Sequence, residues 1–72
     1  MKNIKFTIVI EKDPTTKLYV GYVPGMVGAH SQGATIEELK SNLKEVVSLC
    51  IAEGDPFIIG EYIGTEQLEV TI

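Results

Sequence analysis

Residues 21–39 constrain the fold of this chain more than any other stretch, because they fix where the backbone bends. A strand-like segment runs into Pro24-Gly25, a glycine-bounded segment follows, and a helix start comes next. Thr35 and Glu38 have the spacing of a capping box, in which each side chain accepts a hydrogen bond from the other residue's backbone N–H. The stretch contains no obvious nucleophile or metal cage, which favours a binding surface.

Apolar residues recur at helical spacing over residues 36–52, and this predicts one amphipathic helix. Gly54 stands where a C-terminal cap belongs, and Pro56 prevents the helix from continuing. A helix of this length can cross a sheet. Its predicted apolar stripe consists of Ile36, Leu39, Leu43, Val46, Val47, Cys50 and Ile51.

Alternating apolar and polar residues predict strands on both sides of the helix. Residues 3–11 and 17–23 predict an antiparallel hairpin with a short polar turn. Residues 26–32 predict a short third strand that Gly33 breaks before the helix, and residues 67–72 predict a fourth. The predicted inward-facing side chains of the first and last strands are Ile4, Phe6, Ile8, Ile10, Leu68, Val70 and Ile72.

This β-β-β-α-β order predicts a single α+β domain over residues 1–72: a three-stranded antiparallel meander, one helix packed on the sheet, and a fourth strand parallel to the first by a right-handed crossover. The apolar residues 57–64 predict an irregular cover over the core, which we favour, or an exposed patch that meets another chain. So short a chain builds a small core, and we therefore expect a homo-oligomer, dimer or higher.

The charge pattern favours a protein partner over nucleic acid. The net charge is −4, all six cations are lysines, and residues from 37 onward hold eight acids against two lysines. Nucleic-acid binders show a basic face and use arginine, so we expect no direct nucleic-acid binding. An acidic surface instead attracts a basic protein. The sequence shows neither a signal-peptide pattern nor a bilayer-length apolar run, and we expect a cytoplasmic protein without membrane contact.

No catalytic residue, cofactor or metal site is expected. Cys50 is interpreted as a small apolar residue on the buried side of the helix, with a redox or nucleophilic thiol as the alternative. His30 is the only histidine and has no recognisable catalytic partner in the sequence. Glu11 and Glu69 are too few for the carboxylate cluster of a two-metal nuclease.

The run from Tyr19 to Leu39 resembles the HicB-like antitoxin family. Pro24-Gly25-Met26-Val27-Gly28 stands where that family has a proline-leucine-proline-glycine-like turn, although the second proline is missing. Ser31-Gln32-Gly33-Ala34-Thr35 matches the polar step before the family's acidic helix start, and residues 42–46 resemble its next helical turn. The resemblance covers roughly residues 4–53 in pattern and nearly the whole chain in element order.

The resemblance implies a partial, degenerate ribonuclease-H-like fold. It also implies a non-catalytic module that binds and neutralises a HicA-type mRNA-cleaving toxin. Many members of that family carry a C-terminal DNA-binding domain, and we expect a short member without one. The alternatives are a stand-alone self-associating domain of regulatory role and, less favoured, a residual nuclease. The expected partner-binding residues are Pro24, Gly25, His30, Gly33, Glu37, Glu38 and Glu45.

Overall fold

The computed structural model describes residues 4–71. Within them, three strands precede one helix: β1 (Val9–Lys12), β2 (Tyr19–Tyr22), β3 (His30–Gly33) and α1 (Ile36–Ala52). The strands form one antiparallel sheet in the order β1-β2-β3. The predicted α+β class and the antiparallel three-stranded meander are therefore confirmed.

The β1–β2 hairpin is closed by the Asp13 side chain. Its Oδ1 accepts hydrogen bonds from the backbone N–H groups of Thr15, at 2.7 Å, and Thr16, at 3.2 Å. The register pairs Val9 with Tyr22 and Lys12 with Tyr19. The first strand is shorter than the predicted 3–11, of which residue 3 lies outside the described residues. The ladder stops at Val9 because the residues that would continue β2 lead into Pro24, which has no N–H to donate.

The segment between β2 and β3 folds inward instead of forming the strand predicted over residues 26–32. Val23 donates its N–H to the carbonyl of Ala29 at 3.0 Å, which closes a compact loop. Met26 is 3% exposed and Ala29 1% exposed, so the loop contributes side chains to the core. The third strand consequently starts later, and Gly33 is its last residue and does not break it.

Helix α1 has the predicted start and end. The N–H of Glu38 donates to Thr35 Oγ1 at 3.0 Å, as expected for the cap. The Glu38 carboxylate accepts from the N–H of Ala34 at 3.4 Å, one residue before the predicted donor. At the other end, the N–H groups of Gly54 and Asp55 donate to the carbonyls of Ile51 and Cys50, each at 3.0 Å. This pair of bonds is a Schellman motif with Gly54 in the left-handed conformation.

The core lies between one sheet face and the middle of α1. The helix supplies Leu39, Leu43 and Val47, fewer residues than the predicted stripe. Ile36 and Ile51 are each 41% exposed. A helix of this length spans about 25 Å, whereas a four-residue strand spans about 13 Å, so the helix ends project beyond the sheet. Around the core cluster of Val23, Met26, Ala29, Leu43 and Val47 pack Phe6, Ile8, Val46, Cys50 and Phe57.

Residues 57–71, the C-terminal arm, form no helix or strand. The base of the arm is anchored: Phe57 packs edge-on against Phe6 at a ring-centroid distance of 5.7 Å, and Ile58 donates its N–H to the Gly25 carbonyl at 3.1 Å. Beyond it, Ile63 is 87% exposed and Leu68 90% exposed. The favoured cover over the core is therefore limited to Phe57.

The fourth strand predicted over residues 67–72 is not present in residues 67–71, and Ile72 lies outside the described part. A strand needs a ladder partner for its backbone groups, and the arm reaches none within its own chain over these residues. The radius of gyration is 13.8 Å, whereas a compact chain of this length has about 11 Å. Residues 66–71 are exposed throughout, and the chain is more extended than a fully packed domain of this length.

Candidate partner-binding surface

The sheet has one face that α1 does not cover. Side chains paired across neighbouring strands share a face, and Ile10 and Gly21 lie on the helix side, since a Cβ on Gly21 would meet the Leu39 side chain at 3.0 Å. The neighbouring pairs therefore project from the other side, which we call the open face. It carries Val9, Glu11, Val20, Tyr22, His30 and Gln32.

Three of the predicted partner-binding residues lie together at one end of the open face. Pro24, Gly25 and His30 line a single shallow groove around the β2–β3 loop. Tyr22 is paired with His30 across the strands and is 46% exposed, and it lines the same groove. An exposed tyrosine beside a histidine and a rigid turn offers one large amphipathic contact of the kind enriched at interfaces.

The predicted acidic residues lie on the solvent side of α1, and none of them lines that groove. Glu38 and Glu45 are seven residues apart, which places them two turns along one flank, and Glu37 lies one position round from Glu38. All three are exposed. The Asn42 amide donates to the Gln32 carbonyl at 2.9 Å, so this flank is the one that borders β3. The structure thus presents two patches, a turn groove and an acidic flank.

Gly33 does not contribute to either patch, since it is buried. A Cβ at this position would lie 2.6 Å from the backbone nitrogen of Leu39. The residue therefore permits the helix to pass close to β3, and its role is packing. The sequence motif around Gly33 predicted the helix start correctly. It did not distinguish a glycine that contacts a partner from one that lets two elements of the fold pack closely.

Tyr22 was not among the predicted site residues. Its alternation with Gly21 and Val23 gave two faces without saying which one the helix covers. The deciding signal is glycine itself: Gly21 offers the smooth surface on which Leu39 packs, and this leaves Tyr22 on the open side. Cross-strand pairing then sets His30 beside it.

No group of three His, Cys, Asp or Glu side chains in residues 4–71 lies together as a metal site would require. Glu11 and His30 do line one depression on the open face, without a further acid among its lining residues. In the same described range, α1 lacks the length and apolar character needed to cross a bilayer.

Cys50 is half-buried on the core side of α1, as the packing interpretation predicted. Desolvation raises the pKa of its thiol, and the nearby Asp55 carboxylate raises it further. The unfolded chain releases this proton first as the pH rises. The free energy of unfolding is therefore unaffected by this group below the ordinary thiol pKa of about 8.5. It falls as the pH rises from there through the higher pKa of the folded chain.

We expect the Cys50 thiol to react more slowly with a disulfide reagent in the folded chain than in the urea-unfolded chain at pH 8, because the thiolate is the reacting form. Stopped-flow absorbance on both states measures the two rates, and a short peptide spanning Cys50 corrects for the effect of urea. Equal rates, or a faster folded chain, would contradict the proposed thiol environment.

Three similar proteins come from two bacteria and an archaeon. A UPF0150 protein of Thermotoga maritima is 45% identical over 73 residues, covering 97% of each chain. A UPF0150 protein of Synechocystis sp. is 37% identical over 97% of this chain and 100% of its own length. One from Archaeoglobus fulgidus is 39% identical over 93% of this chain and 96% of its own.

No protein-family model matches the chain, and no solved structure matches it with significant similarity. The three relatives are nevertheless similar over almost their entire lengths and at identities that indicate common descent. The sequence therefore belongs to the UPF0150 family.

Proposed function

We propose that this chain is a non-catalytic protein-binding module that covers and neutralises a HicA-type mRNA-cleaving toxin in the cytoplasm. The observation that carries the proposal is the uncovered sheet face with its turn groove. Pro24, Gly25 and His30, all within the HicB-like motif, line that groove together with Tyr22. The side chains among them, Tyr22, Pro24 and His30, are exposed and free to contact a partner.

The charge distribution supports the choice of a basic partner. A protein that binds RNA needs a basic surface, and the acids Glu37, Glu38 and Glu45 offer a complementary one. Arginine is absent from the sequence, so the same surface is poorly suited to phosphate recognition by the module itself. Binding in this manner excludes the RNA substrate by occupying its site.

The finer fold assignment belongs with this proposal. We infer a partial ribonuclease-H-like sheet in which residues 67–71 become the fourth strand, parallel to β1, when the arm finds a partner. Its support is the strict alternation of Leu68 and Val70 with polar residues, which is typical of a half-buried strand. A self-associating domain without a toxin partner is the second candidate function, and the exposed arm favours it.

The acidic flank is tested with Glu37→Gln/Glu45→Gln, which removes two charges and leaves the Glu38 cap intact. Each exposed ion pair contributes about 0.2–1 kcal/mol, so we expect a three- to tenfold weaker inhibition of RNA cleavage by a HicA-type toxin. The readout is the inhibition constant in a fluorescent-RNA cleavage assay at fixed ionic strength. The loss should shrink in high salt, because screening weakens charge pairs between exposed groups.

The matched control is Glu53→Gln/Glu61→Gln, which removes the same charge from exposed positions outside the flank. It should change the inhibition constant less than twofold. Equal losses in both variants would mean that only net charge matters, and no loss in either would remove the acidic flank from the proposed interface. A chain that never inhibits the toxin contradicts the proposed function itself.

A further inference from the structure

The C-terminal arm exposes more apolar surface than a small independent domain ordinarily shows. The large apolar side chains involved, each at least half exposed, are Ile58, Ile59, Tyr62, Ile63, Leu68 and Val70. Scattered exposed apolar residues are common, but here six lie within thirteen consecutive residues, so the exposed apolar surface is concentrated in one segment. The extended radius of gyration is consistent with an arm that is only partly packed on the rest of the domain.

The backbone of the arm is as unsupported as its side chains. Residues 59–71 make no backbone hydrogen bond to another described residue, and the same holds for residues 4–8. Residues 67–71 at the end of the arm and residues 4–8 alternate in polarity, as half-buried strands do. Two unpaired strand-like segments in one small chain are mutual pairing partners.

A groove of suitable character opens beside residues 4–8. Ile4, Phe6 and Ile8 line one side of it, and Leu43 and Val47 of α1 line the other. Ile4 is 49% exposed. The groove therefore offers an apolar wall along its length, next to a segment whose backbone groups are unpaired.

The charges at the edge of this groove favour an acidic segment as its occupant. Its rim carries Lys40 and Lys44, and no acid lines it. The arm carries Glu61, Glu66 and Glu69 and no lysine. Alternate side chains of a strand share a face, so an arm that laid Leu68 and Val70 on the apolar wall would bring Glu66 to the lysine side of the groove.

The arm of the same copy takes another path. Its residues 59–65 line a different groove, against Phe6, Thr7 and Val9, and residues 66–71 line neither groove. If two copies exchange arms about a twofold axis, each arm fills the lysine-rimmed groove of the other copy, and neither arm remains unbound.

We propose that residues 66–71 of one copy bind as a strand beside residues 4–8 of a second copy, in the groove rimmed by Lys40 and Lys44, and that two copies exchange arms in this way. The exchange goes beyond toxin binding, since it uses the groove between residues 4–8 and α1. The turn groove around Pro24 and the acidic flank of α1 take no part in it.

Sedimentation equilibrium of the full chain alone, from about 1 to 200 µM, measures the assembly. We expect dimers, or larger assemblies that contain an even number of copies. Leu68→Asp/Val70→Asp should raise the dissociation constant about a hundredfold, because it removes the apolar face of the strand. Both positions are exposed in the single copy, so its helical circular dichroism should not change. A monomer at 200 µM, including one with its arm docked on itself, overturns the exchange.

A charge swap identifies the groove. Lys40→Glu/Lys44→Glu and Glu66→Lys should each weaken association by about three- to tenfold. The variant that combines all three substitutions should associate more tightly than Lys40→Glu/Lys44→Glu. Two outcomes would assign the contact to another surface and overturn the proposal. One is an unchanged dissociation constant in Leu68→Asp/Val70→Asp, and the other is a combined variant that associates no more tightly than Lys40→Glu/Lys44→Glu. No toxin is present in these measurements, so their failure is separate from failure of toxin binding.

Discussion

Replacing Leu39 with alanine is expected to lower the free energy of unfolding by about 2–5 kcal/mol. Leu39 is completely buried between α1 and the sheet, where it packs on Gly21. A domain of this size has a total stability of only about 4–11 kcal/mol, so the substitution removes a large share of it. Urea denaturation followed by circular dichroism measures the change at the unfolding midpoint.

Leu49→Ala is the matched control, because it is the same substitution in the same helix at a side chain that is 61% exposed. It should change stability by less than about 0.5 kcal/mol. A second check combines Gly21→Ala with Leu39→Ala. A methyl group at residue 21 enters the space that Leu39 vacates, so the double variant should lose less stability than Leu39→Ala alone. Similar costs for Leu39→Ala and Leu49→Ala would contradict the described position of the core.

The second large effect is expected at Gly25, where alanine meets two separate penalties. The residue has φ +85°, a left-handed conformation that costs a non-glycine residue about 1–2 kcal/mol. An added Cβ would also collide with the carbonyl oxygen of Ile58. The arm base must then move, and the hydrogen bond from Ile58 to Gly25 is lost. We expect a total cost of about 2–4 kcal/mol.

Gly28→Ala separates the two penalties. Gly28 has φ +88°, but nothing lies within 4 Å of an added Cβ, so it carries only the conformational cost. The difference between the two variants in urea denaturation therefore measures the docking of the arm base on the β2–β3 loop. Hydrogen exchange at the Ile58 amide should rise in Gly25→Ala alone. Equal destabilisation by both variants would mean that Ile58 does not contact Gly25 in solution.

The local signals of the sequence succeeded where a hydrogen-bond pattern depends on few residues. Thr35 and Glu38 predicted the helix start, and Gly54 predicted its end, since caps are decided within one turn. The hairpin followed from alternation and a polar turn for the same reason. None of these features requires knowledge of distant contacts.

The failures arose where distant contacts decide. The pattern over residues 26–32 allowed a strand, but burial of Met26 and Ala29 in the core favours a folded loop. The alternation over residues 67–72 predicted a strand, but residues 67–71 form none, because a strand also needs a neighbour and one copy supplies none to them. The apolar pattern of a sequence indicates which side chains favour burial, but it does not indicate which part of the chain, or which partner, buries them.

The candidate surface was predictable in part. Pro24, Gly25 and His30 were expected to act together, and the structure places them on one groove. Gly33 was expected beside them and is instead packed under α1. Tyr22 was missed, because its orientation depends on which strand face the helix selects.

The most direct test of a covering role is a titration of HicA-type toxins, including any encoded in the neighbouring reading frame, with the folded chain by isothermal calorimetry. We predict one toxin per chain, with a dissociation constant below about 1 µM, and co-migration of the pair on gel filtration. Absence of both heat and co-migration at about 50 µM for every toxin would contradict the account.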